Sequence, residues 1–153
     1  MPTIRRATAA DAELLAEQRM RMYMDAGMAE ESAMGAMRES FMPWVRERIR
    51  NGSYAGWISE DNGRAVGGAG LWVMEWPPHF LDAGSRRGYL LNFYVAPEAR
   101  RHGIARELLG AGLAEAKVRG LRVVTLHASK YGQPLYEQLG FKAANEMRLV
   151  LEP

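Results

Sequence analysis

The chain has 153 residues, 48% hydrophobic and 25% charged, with a formal net charge of +2; this fits one soluble domain with a real core and is too weakly basic to argue for nucleic acid. It holds no cysteine, which excludes a disulfide framework, thiolate metal ligands and a cysteine nucleophile, and fits a reducing interior. No run approaches the roughly 20 apolar residues of a membrane span, and Met1-Pro2-Thr3-Ile4-Arg5-Arg6 has no apolar signal core, so a cytoplasmic protein without membrane attachment is expected.

In chain order, Thr3 to Ala7 reads as a short strand. Thr8 and Asp11 form a capping-box-like start to a helix whose apolar stripe takes in Ala12, Leu15, the stem of Arg19 and Met22. A second helix covers roughly Ser32 to Arg50, with Met34, Met37, Phe41, Val45 and Ile49 at helical spacing; Pro43 inside it predicts a kink or two short helices. The methionines at 20, 22, 24, 28, 34, 37 and 42 concentrate in these two helices, as core filling or as an adaptable apolar pocket. Ser53–Ser59 and Ala65–Glu75 read as a hairpin around Asp61-Asn62-Gly63, ended by Trp76-Pro77-Pro78, and a polar loop follows to Arg87. Within that hairpin, Gly67-Gly68-Ala69-Gly70 reads as a bulge or a place of close packing rather than a phosphate loop. Gly88–Val95 is a strand, and Gly103–Arg119 is a helix closed by Gly120. Leu121–His127 is an apolar strand expected to be buried on both faces. A short helix with Pro134 in its first turn ends at Gly140, and Phe141–Leu151 is expected to supply two strands turning near Ala144-Asn145. No repeat or linker divides residues 1–153, so one α/β domain is expected, with a right-handed parallel crossover from Gly88 to His127 and an antiparallel 53–75 hairpin.

The chemistry concentrates in Tyr94-Val95-Ala96-Pro97-Glu98-Ala99-Arg100-Arg101-His102-Gly103-Ile104-Ala105-Arg106, where an apolar strand breaks at proline and enters a helix through a basic turn. The first N–H groups of such a helix are unpaired and suit a phosphate. A Walker A loop is excluded because Ile104-Ala105 follows Gly103 where Lys-Ser/Thr is needed, and a dinucleotide fingerprint because only one of its glycines is present. His79, His102 and His127 lie on different elements without ligand spacing, so no metal site is expected.

What remains is Arg-x-x-Gly-x-Ala, carried by Arg100, Gly103 and Ala105. Here the chain resembles the GNAT superfamily of acyl-CoA-dependent N-acyltransferases, whose pyrophosphate loop is Gln/Arg-x-x-Gly-x-Gly/Ala. Gly103 permits close backbone approach, small Ala105 opens the helix mouth, and the N–H groups of Arg101 to Arg106, including those of His102 and Ile104, can cradle a pyrophosphate. Arg100, Arg101 and Arg106 add charge at the rim, and His102 occupies a variable place in the loop and is read as solvent-facing rather than catalytic. A second match is Pro134-Leu135-Tyr136-Glu137-Gln138-Leu139-Gly140-Phe141, similar to the family's C-terminal Tyr-x-x-Leu-Gly-Phe.

The resemblance implies the GNAT fold: a central mixed, mostly antiparallel twisted sheet of about seven strands with a parallel βαβ crossover and helices on both faces. It implies acetyl-CoA as acyl donor, held by Phe93, Tyr94 and Val95 of a splayed strand and by the basic turn, with a backbone N–H near Tyr94 or Val95 polarising the thioester. Direct attack by a neutral amine of a small molecule would follow, with Tyr136 in the position that protonates the departing thiolate. Ser129 is expected either to bond the CoA or to cap the next helix. For the general base, Glu75 is the first candidate, with Asp82 and His79 behind it, because the strand before the loop carries no carboxylate; Trp76-Pro77-Pro78-His79-Phe80 would wall the acceptor site or simply form a rigid turn. The alternatives are a non-catalytic acyl-CoA-binding module and an acetyltransferase acting on protein lysines or N-termini; retention of Tyr136 favours an enzyme. Edge strands of such a sheet also allow pairing between copies, so a homodimer is among the expected assemblies.

Overall fold

The computed structural model describes all residues from Met1 to Pro153. Its elements are β1 (Thr3–Arg6), α1 (Ala12–Asp25), α2 (Glu31–Asn51), β2 (Tyr54–Asp61), β3 (Arg64–Glu75), β4 (Arg86–Val95), α3 (Ile104–Val118), β5 (Val124–Leu126) and α4 (Gln133–Gln138). The strands form one five-stranded sheet in the order β1-β2-β3-β4-β5. The first three pairings are antiparallel and β4–β5 is parallel, reached through α3. No helix is long and apolar enough to cross a membrane.

Helices cover both faces because the strands carry apolar side chains on both. On one face Trp57, Leu71 and Leu90 pack against Leu108 and Leu109 of α3. On the other, Ile58 and Tyr54 pack against Leu15 and Ala16 of α1 and Phe41 and Val45 of α2. At the start of α1, the Asp11 carboxylate accepts the Thr8 N–H at 2.7 Å, the side-chain half of the expected capping box. The β2–β3 hairpin turns at Asn62 (φ 51°) and Gly63 (φ 76°), both left-handed.

Two expectations need correction, and a third is narrowed. Helix α2 runs through Pro43 as one element, which rules out two short helices; Pro43 and Glu39, whose carbonyl loses its partner, both lie on the exposed side, where that group is open to solvent. Strand β5 spans only Val124–Leu126 and is half-buried at the sheet edge, not Leu121–His127 buried on both faces. The two strands expected within Phe141–Leu151 are not formed, so the sheet has five strands rather than about seven. Apolar alternation allows a strand there, but a strand exists only where a ladder forms, and no backbone hydrogen bond joins residues 142–153 to another element.

The glycine run of β3 shows both a bulge and close packing. The β3–β4 register shifts between Gly68 and Gly70, and a Cβ on Gly70 would lie 2.0 Å from the Tyr54 hydroxyl. Tyr54 is 2% exposed and cannot swing away. Gly70→Ala is therefore expected to destabilise the fold by about 1–3 kcal/mol through overpacking, read as a lowered midpoint in urea with an unchanged slope.

Candidate acyl-donor cleft

Strand β4 pairs with β5 only through Gly88–Val124, Tyr89–Thr125 and Leu90–Leu126. Beyond Leu90 the two strands part. The cause lies in β4, where Asn92 takes φ 59° and the extra residue shifts the register against β3. Asparagine tolerates this left-handed conformation better than a branched apolar residue. Asn92 is buried, and its Oδ1 accepts a bond from Arg19 Nη1 of α1 at 2.6 Å. Arg19 is held in turn over the rings of Tyr23 and Phe41, each 5.1 Å from its guanidinium carbon.

The gap opens into a cleft of about 390 Å³ lined by Phe93, Tyr94, Val95, Arg100, Arg101, Gly103, Ile104, Ala105, Arg106, Ser129 and Tyr136, among others. Pro97–Ala99 makes one 3₁₀ turn after β4, and Arg101 (φ 65°) and Gly103 (φ 82°) then reverse the chain into α3. The Glu107 N–H bonds Gly103 O at 3.1 Å, while the N–H groups of Ile104, Ala105 and Arg106 precede any available intrahelical carbonyl and open at the cleft. A wider depression of about 460 Å³ beside Glu13, Glu17 and Arg38 is bordered by a surface Arg38–Glu13 ion pair at 3.0 Å.

The basic side chains of the turn serve different ends. Arg100 folds inward: its Nε donates to Val95 O at 2.9 Å and its Nη2 pairs with Asp25 at the end of α1 at 2.7 Å, latching the loop to the domain. Arg106 donates to Gln138 Oε1 at 2.8 Å and ties the head of α3 to α4. His102 is exposed, with Nδ1 near Ala99 O at 3.3 Å, and does not line the cleft.

Tyr136 is fixed at the other wall. Its ring stands edge-on between Phe93 and Phe141, at centroid distances of 6.1 and 5.9 Å. Gly140 (φ 95°) turns the chain so that the Phe141 N–H bonds Tyr136 O at 3.0 Å, returning Phe141 onto the ring. Gly132 lets the ring pass; a Cβ there would sit 2.9 Å from it. Burial pushes the Tyr136 hydroxyl above its ordinary pKa. Ser129 lines the cleft and also caps α4, its Oγ accepting the Gly132 N–H at 3.2 Å, so both expected roles fit one position.

The expected bases are not brought to this cleft. Glu75 is exposed and pairs with Arg86, at the opposite end of β4 from Phe93; at about 3.3 Å per residue that is roughly 20 Å away. Asp82 accepts the Gly84 N–H at 2.8 Å and His79 Nδ1 accepts the Leu81 N–H at 3.2 Å, so both organise their own turn.

A different group was missed in the sequence reading. His127, just past β5, lies against Tyr89 of β4 through Nδ1 and against Glu146 through Nε2, the latter at 2.6 Å. A carboxylate only accepts, so Nε2 carries the proton and Nδ1 of the neutral ring accepts from the Tyr89 hydroxyl. Tyr89 is half-buried, and burial raises its pKa. The available signal was a histidine ending the strand that β4 must pair with, and a tyrosine opening β4.

The sequence model of the acetyltransferase (GNAT) family matches residues 14–141. A solved GCN5-related N-acetyltransferase from Ralstonia eutropha JMP134 is 37% identical and superposes with a TM-score of 0.93, covering 99% of each chain. A predicted acetyltransferase from Clostridium acetobutylicum, solved with acetyl-CoA, is 28% identical with a TM-score of 0.90, covering 99% of this chain and 96% of its own. The glucosamine 6-phosphate N-acetyltransferase of Trypanosoma brucei brucei is 32% identical over 93 residues, 60% of this chain and 61% of that protein. The chain spans about three fifths or less of the length of the curated relatives it matches.

Proposed function

The chain belongs to the GNAT acetyltransferase family, and from that premise we propose that it transfers the acetyl group of acetyl-CoA to a primary amine of a small molecule by direct attack. One observation carries this reading: a single cleft joins the unpaired N–H groups at the head of α3, the parted edge of β4 and the Tyr136 hydroxyl. The N–H groups of α3 would take the pyrophosphate, with Gly103 and Ala105 leaving room for it. The pantetheine would lie along β4 beyond Leu90. There the Ala96 N–H bonds Val66 of β3 while the Val95 carbonyl faces Arg100. Alternation along a strand then turns the Val95 N–H away from β3, where it can meet the thioester oxygen as negative charge develops.

In this mechanism the neutral acceptor amine forms a C–N bond to the thioester carbon, the C–S bond breaks, the sulfur receives a hydrogen bond and then a proton from Tyr136, and the proton shed by the cationic nitrogen as the amide forms restores the Tyr136 hydroxyl. The ammonium form of the acceptor must first lose a proton. We assign that step to a chain of waters that ends at the Tyr89–His127 pair in place of Glu75: Tyr89, roughly 13 Å along β4 from Phe93 and outside the cleft lining, takes the relayed proton as it passes its own to His127 Nδ1, and Glu146 stabilises the resulting imidazolium. Arg19, Tyr23 and Tyr89 lie on the α1 side of β4, which makes that face the acceptor side. The relatives' glucosamine 6-phosphate activity supports a small amine as acceptor.

Release of free CoA thiol from acetyl-CoA, followed over a panel of amino sugars, amino acids, polyamines and lysine peptides, tests the activity. Amine-dependent release with a small acceptor is expected; donor binding without release for any amine would leave the acyl-CoA-binding module. His127→Ala is expected to lower kcat/KM for the acceptor about 10²-fold at neutral pH, with recovery as rising pH supplies free amine. An equal deficit at every pH would overturn the proton-accepting role.

A further inference from the structure

Arg19 stands where α1, α2 and the bulge of β4 meet, and most of its hydrogen-bonding capacity is unused. Seven arginines of the chain pair with a carboxylate, the highly exposed Arg21 and Arg64 among them. Half-buried Arg19 pairs with none. The acids of its own helix are committed elsewhere: Glu13 to Arg38 at 3.0 Å, Glu17 to Arg21 at 3.0 Å and Asp25 to Arg100 at 2.7 Å. Its single hydrogen bond within the chain runs from Nη1 to Asn92 Oδ1 at 2.6 Å. Nε and Nη2 bond no protein atom and are open to solvent.

The guanidinium is nevertheless fixed. Tyr23 and Phe41 each hold a ring 5.1 Å from its central carbon, which sets its plane and strips part of its hydration. One bond to an amide oxygen offsets little of that desolvation, whereas an anion brought by a substrate meets a preorganised cation in a medium of lowered dielectric. Asn92 directly precedes Phe93, the residue at which β4 enters the cleft, so Arg19 adjoins the stretch of β4 assigned to the thioester. We propose, on the basis of the acyl transfer described above, that Arg19 binds a carboxylate of the acceptor, so the small amine acetylated by this chain is an amino acid or a similar amine bearing a carboxylate. One planar fork of N–H groups matches the two oxygens of a carboxylate. A phosphate dianion calls for a second cation, and Arg21, Arg38 and Arg100 are already paired.

The full chain is assayed with acetyl-CoA and paired acceptors: the common amino acids, β-alanine and γ-aminobutyrate, the carboxamide of each, and phosphoethanolamine. The best acid is expected to exceed its carboxamide in kcat/KM by about 10–10²-fold, mainly through KM. In Arg19→Gln, which keeps an amide donor for Asn92 Oδ1, that ratio is expected to fall to near one. Arg19→Lys should retain part of it, because the charge remains and the fork is lost. A residue that only supported the bulge would weaken acid and carboxamide alike and leave the ratio intact. Titration calorimetry of the same acids into the CoA-loaded chain distinguishes the carboxylate site from the transfer itself. Binding of an acid that Arg19→Gln abolishes, with no thiol released from acetyl-CoA, would end the transfer reading and uphold the site. A carboxamide or phosphoethanolamine used as well as any acid, a ratio that survives Arg19→Gln, or a CoA-loaded chain that binds no acid would each overturn the proposal.

Discussion

Tyr136→Phe is expected to lose about 10²-fold in kcat while KM for acetyl-CoA changes less than about threefold. The substitution keeps the ring between Phe93 and Phe141 and removes only the hydroxyl facing the cleft, so binding and folding should survive. The chemistry of the loss is constrained. A phenol near pKa 10 is already a weaker acid than a thiol near 8.5, and burial pushes Tyr136 further up. Its main contribution is therefore a hydrogen bond that orients and stabilises the sulfur as charge accumulates, with proton transfer completed only as the thiolate leaves. The pH dependence follows with a definite sign. A raised pKa keeps the hydroxyl protonated through its ordinary titration range, so Tyr136 should impose no fall in kcat below about pH 10. Wild-type turnover in the Phe variant, or an alkaline limb below pH 9 that disappears in it, would end this assignment.

Gly103→Val should act on the opposite side of the kinetics, raising KM for acetyl-CoA by about 10–10²-fold with a smaller change in kcat. Gly103 has φ 82°, and a Cβ there would meet nothing within 4 Å. The penalty is therefore not a clash inside the protein. It comes from left-handed backbone, which costs an L-residue about 1–2 kcal/mol, and from a branched side chain standing in the mouth of α3 where the pyrophosphate must approach. Gly103→Ala separates the two contributions, because it carries most of the backbone strain and little of the bulk. Saturation binding of CoA followed by titration calorimetry is the direct measurement. If Gly103→Val bound CoA like the parent chain, the donor phosphate would have to lie elsewhere.

The donor side was legible because its determinants are local. A strand, a proline, a glycine and a small residue within Val95–Ala105 shape the turn whatever surrounds it, and Tyr136 through Phe141 carries its own helix stop in Gly140. Even there, side-chain direction was not readable. Arg100 looks like a rim charge in sequence, yet it turns to Asp25, which lies far away in the chain and next to it in the fold. The acceptor side was less legible. Glu75 and His127 are both titratable groups near strand ends, and nothing local ranks one over the other. The antiparallel register sends Glu75 to Arg86, and the parallel crossover brings the end of β5 beside Tyr89; neither neighbour is readable from the local sequence. Asn92 offered a clue as a polar residue within an apolar strand, but the bulge it makes depends on what β3 and α1 present to it.

By itself the sequence determined the order of elements as far as α4, the turn that opens the head of α3 into the cleft, and the family to which those motifs belong, because caps, glycine conformations and apolar periodicity act over a few residues. Tertiary structure alone decided that Pro43 leaves α2 whole and that Phe141–Leu151 forms no strand within this chain. It also decided that His127 rather than Glu75 faces Tyr89. Each of those outcomes turns on what lies across a ladder, a helix face or a solvent boundary, and such neighbours are set by register and packing between residues distant along the chain.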